Sequence, residues 1–458
     1  MTSVALVPVT VESATFRERW SGIAFGKRFF LLAIVGLAWI GPAFLDVRFL
    51  YGMLAWDALL LVACVADLAR LPRPQQLIVT RKWTAPAALS VPGTVELALQ
   101  NTGRTAVIAE IADEAPPQLR SEIPQVEVTA AAGREGTASY AVVPAVRGDA
   151  AMGDAYLRYQ SPLRLAERWT RATLAQTVRV YPNLEEAKRH TIYLVRSRQI
   201  EMQKRYTRMK GTGREFESLR DYRQGDEFRN ICWSATARRG KLVTKSFQVE
   251  RSQTVWLVVD TGRLMRTRVA GLSKLDYAVN AALSLAEVAL YSGDRVGFMA
   301  YGRGLQHRIL PGRGSAHLRQ LMEQLVEVHE ETSEADHLRA VGTLLSTQKR
   351  RSLIVWLTDL SETAMTPEVV DAAMQLSPRH LVLFAVIGQP DLIAAATGEP
   401  IDAAAMYQAA AANEVIHRRE ALLARMRERG ALTIEVSSAA LSTAVINSYL
   451  EIKQRNQL

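Results

Sequence analysis

The most constraining feature of this 458-residue chain is a pair of apolar runs, residues 29–45 and 49–66, separated by only three residues. Each run is close to the length that a helix needs to cross a hydrocarbon core of about 30 Å. Because the runs are consecutive, contain Trp39 and Trp56, and precede ordinary soluble composition, they indicate a transmembrane helical hairpin over residues 29–66. The alternative is a buried helical pair in a soluble domain, which Pro42 and Asp57 favour because a carboxylate in mid-membrane is costly.

Charges around the hairpin predict its orientation. Its turn has only Arg48, whereas both ends carry several cations, so the positive-inside rule places both ends in the cytoplasm. We therefore expect a protein of the inner (cytoplasmic) membrane with two spanning helices, a cytoplasmic N-terminal segment over residues 1–28, and soluble domains that face the cytoplasm. The late start of the apolar run argues against a cleaved signal peptide. The flanking cations are Arg17, Arg19, Lys27 and Arg28 before the hairpin, and Arg70, Arg73, Arg81 and Lys82 after it.

The remaining sequence predicts two soluble domains. Residues 77–182 show period-two alternation with frequent turn signals, which predicts a small all-β sandwich. Over residues 252–452, continuous apolar strands alternate with helical patterns, which indicates an α/β, Rossmann-type domain with a mostly parallel sheet covered on both faces. Cys64 and Cys232 are the only cysteines. They allow neither a disulfide framework nor a Cys-based metal site, and they fit a reducing compartment.

A basic segment over residues 188–251 lies between these domains. It has 17 Lys or Arg and 7 Asp or Glu, an excess that equals the net charge of +10 of the whole chain. The segment contains a dense run of residues at fixed spacing: Glu215, Phe216, Leu219, Arg220, Asp221, Tyr222, Gly225, Asp226, Arg229, Asn230, Ile231, Trp233, Ala235, Ala237 and Arg238.

This signature resembles that of the domain of unknown function 58 family. The resemblance extends to the N-terminal hairpin and to a von Willebrand factor A-like (vWA-like) domain that ends near Tyr449. It implies a bacterial, membrane-anchored partner of MoxR-type AAA+ ATPases. The protein on which such a pair acts, its client, is usually unknown. The sandwich also resembles the one that precedes the family signature, although Arg164 stands where the family usually has glycine.

Two interpretations of the basic segment are open. Cations beside aromatic residues suit a phosphate or nucleic-acid surface. However, the acids of the segment are interspersed with its arginines, which suits a salt-bridge network or a protein interface better. We therefore expect no nucleic-acid partner, and we hypothesise that the signature fixes the sandwich and the vWA-like domain as one rigid body. Part of the excess charge can face anionic lipid.

The vWA-like resemblance also implies a Mg²⁺ site, the metal-ion-dependent adhesion site, with Asp260 and Asp359 as its carboxylates. Both follow apolar strands directly, so they should lie at one edge of the sheet. The family motif Asp-x-Ser-x-Ser is degenerate here, because Gly262 and Leu264 replace the serines and the position expected for the later threonine, at Ala335 and Asp336, has none. We therefore expect structural capping or an Arg263 salt bridge rather than metal binding, with Mg²⁺ at most a weak ligand and no other cofactor.

Catalytic motifs are missing from the sequence. Residues 211–216 lack the last glycine of a dinucleotide loop, and residues 239–242 lack the hydroxyl of a P-loop. The histidines show no zinc spacing, and no nucleophile elbow is present. The sequence therefore predicts a non-enzymatic, membrane-anchored adaptor that binds a protein, with a MoxR-type ATPase as the expected partner. The alternatives are an ATPase-independent structural component of envelope or secretion machinery, and a divalent-metal-dependent enzyme or binding module.

Overall fold

The computed structural model describes residues 11–17, 22–120, 122–183, 215–223, 228–248, 253–360, 368–399 and 401–455. The chain divides into two compact units, Met1–Tyr181 and Pro182–Leu458. The first unit contains an antiparallel β domain and a pair of helical arms. The second contains a mixed, mostly parallel sheet with helices. The predicted combination of an all-β domain and an α/β domain in one chain is therefore confirmed.

The β domain of the first unit is a nearly closed antiparallel sheet. Its strands are β1 (Val11–Arg17), β2 (Ile23–Phe25), β3 (Leu77–Trp83), β4 (Gly93–Asn101), β5 (Val107–Asp113), β6 (Gln125–Ala130), β7 (Glu135–Val142), β9 (Ala155–Gln160) and β10 (Ala166–Ala172), and a separate pair is formed by β8 (Gly148–Met152) and β11 (Gln176–Val180). The order is β6-β5-β9-β10-β1-β3-β4-β7, with β2 paired to β10, and the end strands β6 and β7 contact each other. Alternate residues along β3 are buried, as the period-two pattern predicts.

The β domain begins before the helical arms, which corrects the predicted boundary at residue 77. Strand β1 pairs with β3 from Val11–Lys82 to Thr15–Ile78, and its end also pairs with β10. Strand β2 pairs with β10 as well. Residues 1–28 are therefore not a separate segment in the described structure, because the strands on both sides of the helical arms hydrogen-bond within one sheet.

Two helical arms leave the sheet between β2 and β3. The first consists of α1 (Lys27–Gly36), a 3-10 turn (Leu37–Trp39) and α2 (Ile40–Ala43). The second is the continuous helix α3 (Arg48–Arg70), which is followed by a 3-10 turn (Pro74–Gln76). The arms pack against each other, and the Trp56 indole N–H donates to the Leu32 carbonyl at 3.0 Å.

Only α3, among the described residues, is long and apolar enough to be a candidate membrane span. The first arm, which we predicted as a second span, is divided near its middle. Pro42 has no N–H to donate to residue 38, which lies in the 3-10 turn, so a regular helix cannot continue there. Most large apolar side chains of both arms are exposed, including Leu31, Ile34 and Leu59, each above 60%.

The described part of the signature segment is a small β-hairpin with one helix. Its elements are β12 (Glu215–Asp221), a 3-10 turn (Phe228–Asn230), α4 (Trp233–Arg239) and β13 (Val243–Gln248). Strands β12 and β13 pair in antiparallel fashion. Gly240, with φ of 64°, ends α4 in the left-handed conformation that glycine adopts at little cost. Much of the remaining segment 188–251 lies outside the described residues.

The sheet of the second unit is mostly parallel, as predicted. Its strands are β14 (Thr254–Asp260), β17 (Arg295–Tyr301), β18 (Leu305–Gly312), β19 (Leu353–Thr358), β20 (Leu381–Ile387) and β21 (Leu432–Val436), and a small hairpin is formed by β15 (Arg268–Val269) and β16 (Leu272–Ser273). The order is β18-β17-β14-β19-β20-β21, and every pairing is parallel except that of β18 with β17. This is the arrangement 3-2-1-4-5-6 of a Rossmann-type sheet.

Helices cover both faces of this sheet. They are α5 (Lys274–Tyr291), α6 (Gly314–Glu327), α7 (His337–Thr347), α8 (Glu368–Leu376), α9 (Pro390–Thr397), α10 (Ala403–Glu428) and α11 (Leu441–Gln454), with 3-10 turns at Arg263–Arg266 and Ser438–Ala440. Every residue of β19 is buried, which requires cover on both faces. On one face, Trp256, Trp356 and Phe384 pack against Val341 and Leu422 from the helices.

Candidate functional site

The two predicted site aspartates lie at the same edge of the α/β sheet. Asp260 is the last residue of β14, and Asp359 directly follows β19. The two strands are parallel neighbours, with Val259 opposite Leu357, so their carboxyl ends meet at one edge. This edge is the position at which open α/β sheets bind ligands. We refer to the edge around Asp260 and Asp359 as the rim.

Asp260 uses both carboxylate oxygens within the protein. Oδ1 accepts a hydrogen bond from the Gly262 N–H at 2.7 Å, and Oδ2 accepts one from the Thr358 hydroxyl at 2.6 Å. The side chain is almost completely buried. Burial raises the pKa of Asp260, although the nearby His337 and the two hydrogen bonds oppose the increase. The carboxylate therefore serves as an internal acceptor that ties the β14 and β19 ends together.

Asp359 is paired with a buried lysine that the sequence analysis missed. The Lys274 ammonium donates to Asp359 Oδ2, and both side chains are fully buried. An Arg419 guanidinium nitrogen lies 3.9 Å from the other carboxylate oxygen. Burial lowers the pKa of Lys274, and the attraction of Asp359 opposes that decrease.

The start of helix α5 explains how Lys274 reaches the rim. Ser273 caps the helix by accepting the Asp276 N–H at 3.1 Å, while Asp276 accepts the Ser273 N–H at 3.3 Å. This capping box fixes Lys274 as the first residue of α5, and its side chain is fully buried against Asp359. A capping box followed by an apolar helical pattern is readable from sequence, but the partner of Lys274 lies 85 residues away.

The residues of the rim do not fit a divalent cation. A Mg²⁺ ion requires an octahedral set of oxygen ligands. Here Lys274 holds one oxygen of Asp359, and a backbone N–H and a hydroxyl donate to Asp260. Gly262 also faces Ala335, with no side-chain oxygen at either position. Within the described ranges, no group of three His, Cys, Asp or Glu side chains is placed to hold a metal ion.

Arg263 does not supply the cation that we expected at the rim. Its guanidinium pairs with Glu334 at 2.9 Å, and both side chains are substantially exposed. Arg263 lies in the 3-10 turn Arg263–Arg266, whose N-terminal residue Gly262 turns the chain away from β14. The expected Arg263 salt bridge therefore exists, but with Glu334 rather than with an aspartate of the rim.

The signature residues form a second candidate surface. Ile231, Val243 and Thr244 are buried between α4 and β13, and they anchor the helix on the hairpin. Phe228 and Trp233 are exposed, and the Phe228 ring lies 5.9 Å from that of Tyr222. The predicted positions Leu219, Ala237 and Arg238 are also exposed, whereas Arg220 and Tyr222 are half-buried. Gly225 and Asp226, and the side chains of Glu215, Phe216 and Arg229, lie outside the described part of the structure.

We define the signature surface as five exposed side chains of this module, two aromatic, two basic and one aliphatic. They are Phe228, Trp233, Arg238, Arg239 and Leu242. Aromatic and arginine side chains are enriched in protein interfaces, since both bury a large area and arginine also donates several hydrogen bonds. The surface has the composition of a protein-binding site.

Comparison with known proteins assigns a family to part of the second unit. Residues 218–393 match the model of the family described as Protein of unknown function DUF58. An uncharacterized protein of Mycobacterium tuberculosis is 25% identical over 151 residues, which are 32% of this chain and 48% of that protein. The uncharacterized protein YeaD of Bacillus subtilis is 26% identical over 113 residues, which are 24% of this chain and 26% of that protein. This chain thus spans about half the length, or less, of these curated relatives.

Two solved structures are distantly similar to part of this chain. The conserved hypothetical protein BatB of Bacteroides thetaiotaomicron has a TM-score of 0.31 at 13% identity. An aerotolerance-related membrane protein of Bacteroides fragilis has the same TM-score at 15% identity. Each alignment covers 44% of this chain and 100% of the solved chain.

Proposed function

We propose, on the premise that residues 218–393 are a DUF58 family domain, that this protein is a non-catalytic, membrane-anchored adaptor. Its vWA-like α/β domain binds a protein partner, and the family resemblance favours a MoxR-type AAA+ ATPase as that partner. The pair would act in the assembly or maturation of envelope or other protein complexes. The helical arms keep the adaptor at the inner membrane, with its soluble domains in the cytoplasm.

The observation that carries this proposal is the exposure of aromatic side chains within the family signature. Phe228 is 73% exposed and Trp233 is 67% exposed. Trp233 also shares the short helix α4 with Arg238 and Arg239. Tryptophan and arginine are the residues that most often carry the binding energy of protein interfaces. Their presence together on a small, ordered module supports docking of a protein at the signature surface.

The rim supports an adaptor rather than a metal-dependent module or enzyme. The place where a vWA-like domain would hold Mg²⁺ has a lysine ammonium on Asp359 and neutral donors on Asp260. A buried ion pair of this kind is a structural arrangement, since its oxygens are not available to a ligand. Partner binding by this domain would therefore be independent of divalent metal.

The connectivity of the β domain supports two membrane crossings. Strand β2 immediately precedes the first arm and β3 follows the second, and both belong to one sheet. If α3 crosses the bilayer, the chain must cross back through the first arm. That arm is helical over ten, three and four consecutive residues, or about 26 Å at about 1.5 Å per residue. This length is close to a hydrocarbon thickness of about 30 Å.

A pull-down with the full-length protein tests the proposal. The detergent-solubilised protein is immobilised, and a MoxR-type ATPase from the same genome is added with and without ATP. We expect the parent to retain the ATPase and the double variant Phe228→Ala/Trp233→Ala to lose nearly all retention. Interface aromatics often contribute about 2 kcal/mol or more each, so the loss of two weakens binding roughly a thousandfold at about 1.4 kcal/mol per tenfold. The melting temperature should not change, because both side chains are exposed.

The matched control is Tyr291→Ala, which removes another aromatic side chain that is 62% exposed in the same unit. It should bind the ATPase as the parent does. No retention of the ATPase by the parent in any nucleotide state would contradict the proposal. That outcome would favour an ATPase-independent structural component of the envelope or of secretion machinery.

A further inference from the structure

The turn between β9 and β10 is held at the base of both helical arms. Asp67, near the end of α3, accepts hydrogen bonds from the Ser161 hydroxyl at 2.5 Å and from the Leu165 N–H at 3.2 Å. Arg28, at the start of α1, donates to the Pro162 carbonyl at 3.3 Å. The β9–β10 turn therefore has a fixed position where the two arms join the β domain.

The close packing of this turn extends to the strand before α1. The Gly26 N–H donates to the Leu165 carbonyl at 2.8 Å. A Cβ atom at Gly26 would collide with the carbonyl oxygen of Arg164, so a residue with a side chain is excluded there without movement of the turn. The turn and the start of the first arm thus form one rigid junction.

The backbone of the turn is strained at Arg164. Its φ of 59° lies in the left-handed region, which residues other than glycine rarely adopt. Glycine would adopt this conformation without penalty. The residue is exposed, and within the described residues nothing pairs with its guanidinium. The strained position therefore presents an unpaired cation at the tip of the turn.

Large apolar side chains are exposed around the same tip. Leu163, which precedes Arg164, is 51% exposed. Ile23 and Phe25 of β2, the strand that leads into the first arm, are 55% and 47% exposed. Apolar and aromatic groups beside cations are typical of a protein surface at the headgroup level of a bilayer. The Phe25 ring stacks on that of Phe29 in the first arm, with ring centroids 4.3 Å apart, so this apolar surface continues onto the arm.

We propose that the β9–β10 turn is a lipid-binding tip, in which Leu163 enters the boundary between headgroups and acyl chains and Arg164 binds the phosphate of an anionic phospholipid. Lys27 and Arg28, at the start of α1 beside the tip, add two further positive charges. A guanidinium suits this role because its planar donors match a phosphate in bidentate geometry. Arg28 of α1 and Asp67 of α3 both contact this turn, so the tip lies at the base of the arms that would enter the bilayer. The inference rests on the proposed membrane anchoring.

The test measures which lipids the full-length protein retains. The parent and Arg164→Gly are reconstituted in nanodiscs of equal phosphatidylglycerol and phosphatidylcholine, and the lipids bound to the released protein are counted by mass spectrometry. We expect phosphatidylglycerol to be enriched among the lipids bound to the parent. The ratio of bound phosphatidylglycerol to phosphatidylcholine should fall about fivefold in the variant, because one basic residue near an anionic surface contributes about 1 kcal/mol. The melting temperature of Arg164→Gly should stay the same or rise, because glycine relieves the positive φ.

Lys82→Gln is the matched control, since it removes an exposed cation from the far end of β3 in the same domain. It should keep the lipid ratio of the parent. Leu163→Asp provides a second variant, and its added carboxylate should also lower the phosphatidylglycerol ratio. An unchanged ratio of phosphatidylglycerol to phosphatidylcholine in Arg164→Gly would overturn the proposal. If that variant also lost a cross-link to another protein, the tip would be a protein interface instead.

Failure of the anchoring itself would look different. If the parent leaves bacterial membranes in an alkaline wash without detergent, the proposed membrane anchoring fails and the lipid-binding tip fails with it. If the parent stays in the membrane but Arg164→Gly keeps the parent ratio, only the lipid-binding tip fails.

Discussion

Asp260 has the position of a metal ligand but the surroundings of a structural carboxylate. Its two oxygens accept hydrogen bonds from Gly262 and Thr358, and burial raises its pKa. Metal ligands must be deprotonated, so an environment that raises the pKa of a carboxylate also weakens metal binding at neutral pH. At the scale of this residue, the rim favours internal hydrogen bonding over coordination.

The substitution Asp260→Asn should therefore be tolerated, and its effect should depend on pH. A folded-state pKa above the ordinary value of 3.8 means that Asp260 contributes stability that is fully present below pH 3.8 and is lost as the pH rises through the raised pKa. Asn cannot ionise and can keep both hydrogen bonds, because the Thr358 hydroxyl can rotate to accept. At pH 8 the variant should be as stable as the parent or more stable. Its advantage should shrink as the pH falls through the raised pKa toward 3.8.

Urea denaturation of parent and variant at stepped pH measures this difference. Millimolar Mg²⁺ should leave both unfolding midpoints unchanged. If the parent instead gains stability over Asp260→Asn as the pH rises, or gains it from Mg²⁺, then the ionised carboxylate is the stabilised form and the description of the rim is wrong.

Some residues of the rim could be predicted from the sequence and others could not. The positions of Asp260 and Asp359 at one edge follow from the strand pattern, because parallel strands align their carboxyl ends. The replacement of serines by Gly262 and Leu264 is also visible in the sequence. The buried partner Lys274 is not, because a lysine in a first helical turn is normally solvated and only the packing of α5 encloses it.

The Lys274–Asp359 pair joins two secondary-structure elements, the start of helix α5 and the end of strand β19. Both side chains are fully buried, so their charges have little access to water. A buried pair adds little net stability compared with apolar residues, but removal of one member leaves an uncompensated charge. The pair therefore fixes how α5 meets the sheet.

Lys274→Met should destabilise the α/β unit by about 3 to 5 kcal/mol, the range for breaking a buried ion pair. The double variant Lys274→Met/Asp359→Asn should recover much of this loss, since it leaves no unpaired charge. Thermal unfolding of the full-length protein in detergent measures both. Arg263→Ala serves as the control, because it breaks an exposed pair with Glu334 and should cost about 0 to 1 kcal/mol. A Lys274→Met variant that melts like this control would contradict the assigned role.

The elements themselves were predictable where a periodic pattern was strong. Alternation identified the all-β domain, and continuous apolar runs identified the parallel strands of the second unit. Strands β1 and β2 were missed, because a seven-residue and a three-residue strand gain their stability from pairing with β3 and β10, which are distant in sequence. The first arm was predicted as one helix over residues 29–45 from its apolar composition. Pro42 interrupts that helix, because proline has no N–H to donate, and a 3-10 turn precedes it.

The whole molecule is organised by the sheet that both helical arms leave and re-enter. Its strands lie on either side of the arms in sequence, so the two arm ends share one side of any membrane that the arms cross. By the positive-inside rule, the flanking cations predict that this side is the cytoplasm. The client of the proposed adaptor cannot be predicted in the same way, because it depends on surfaces of other proteins and not on the packing of this chain.

Cysteine labelling in intact bacteria tests this topology. We expect an impermeant maleimide to label a cysteine placed at Asp46, in the exposed turn between the arms, without permeabilisation. The native Cys232 should react only after the membrane is permeabilised, because the predicted topology places the second unit in the cytoplasm. It is a suitable reporter, since hydrogen bonding with Ser234 lowers the pKa of its thiol and favours the reactive thiolate. Cys64 is buried and provides the unreactive background. Labelling of Cys232 in intact cells would place the second unit outside the cytoplasm and contradict the charge-based orientation. Protection of position 46 until permeabilisation would show that the turn between the arms does not reach the outer side, which contradicts the two crossings.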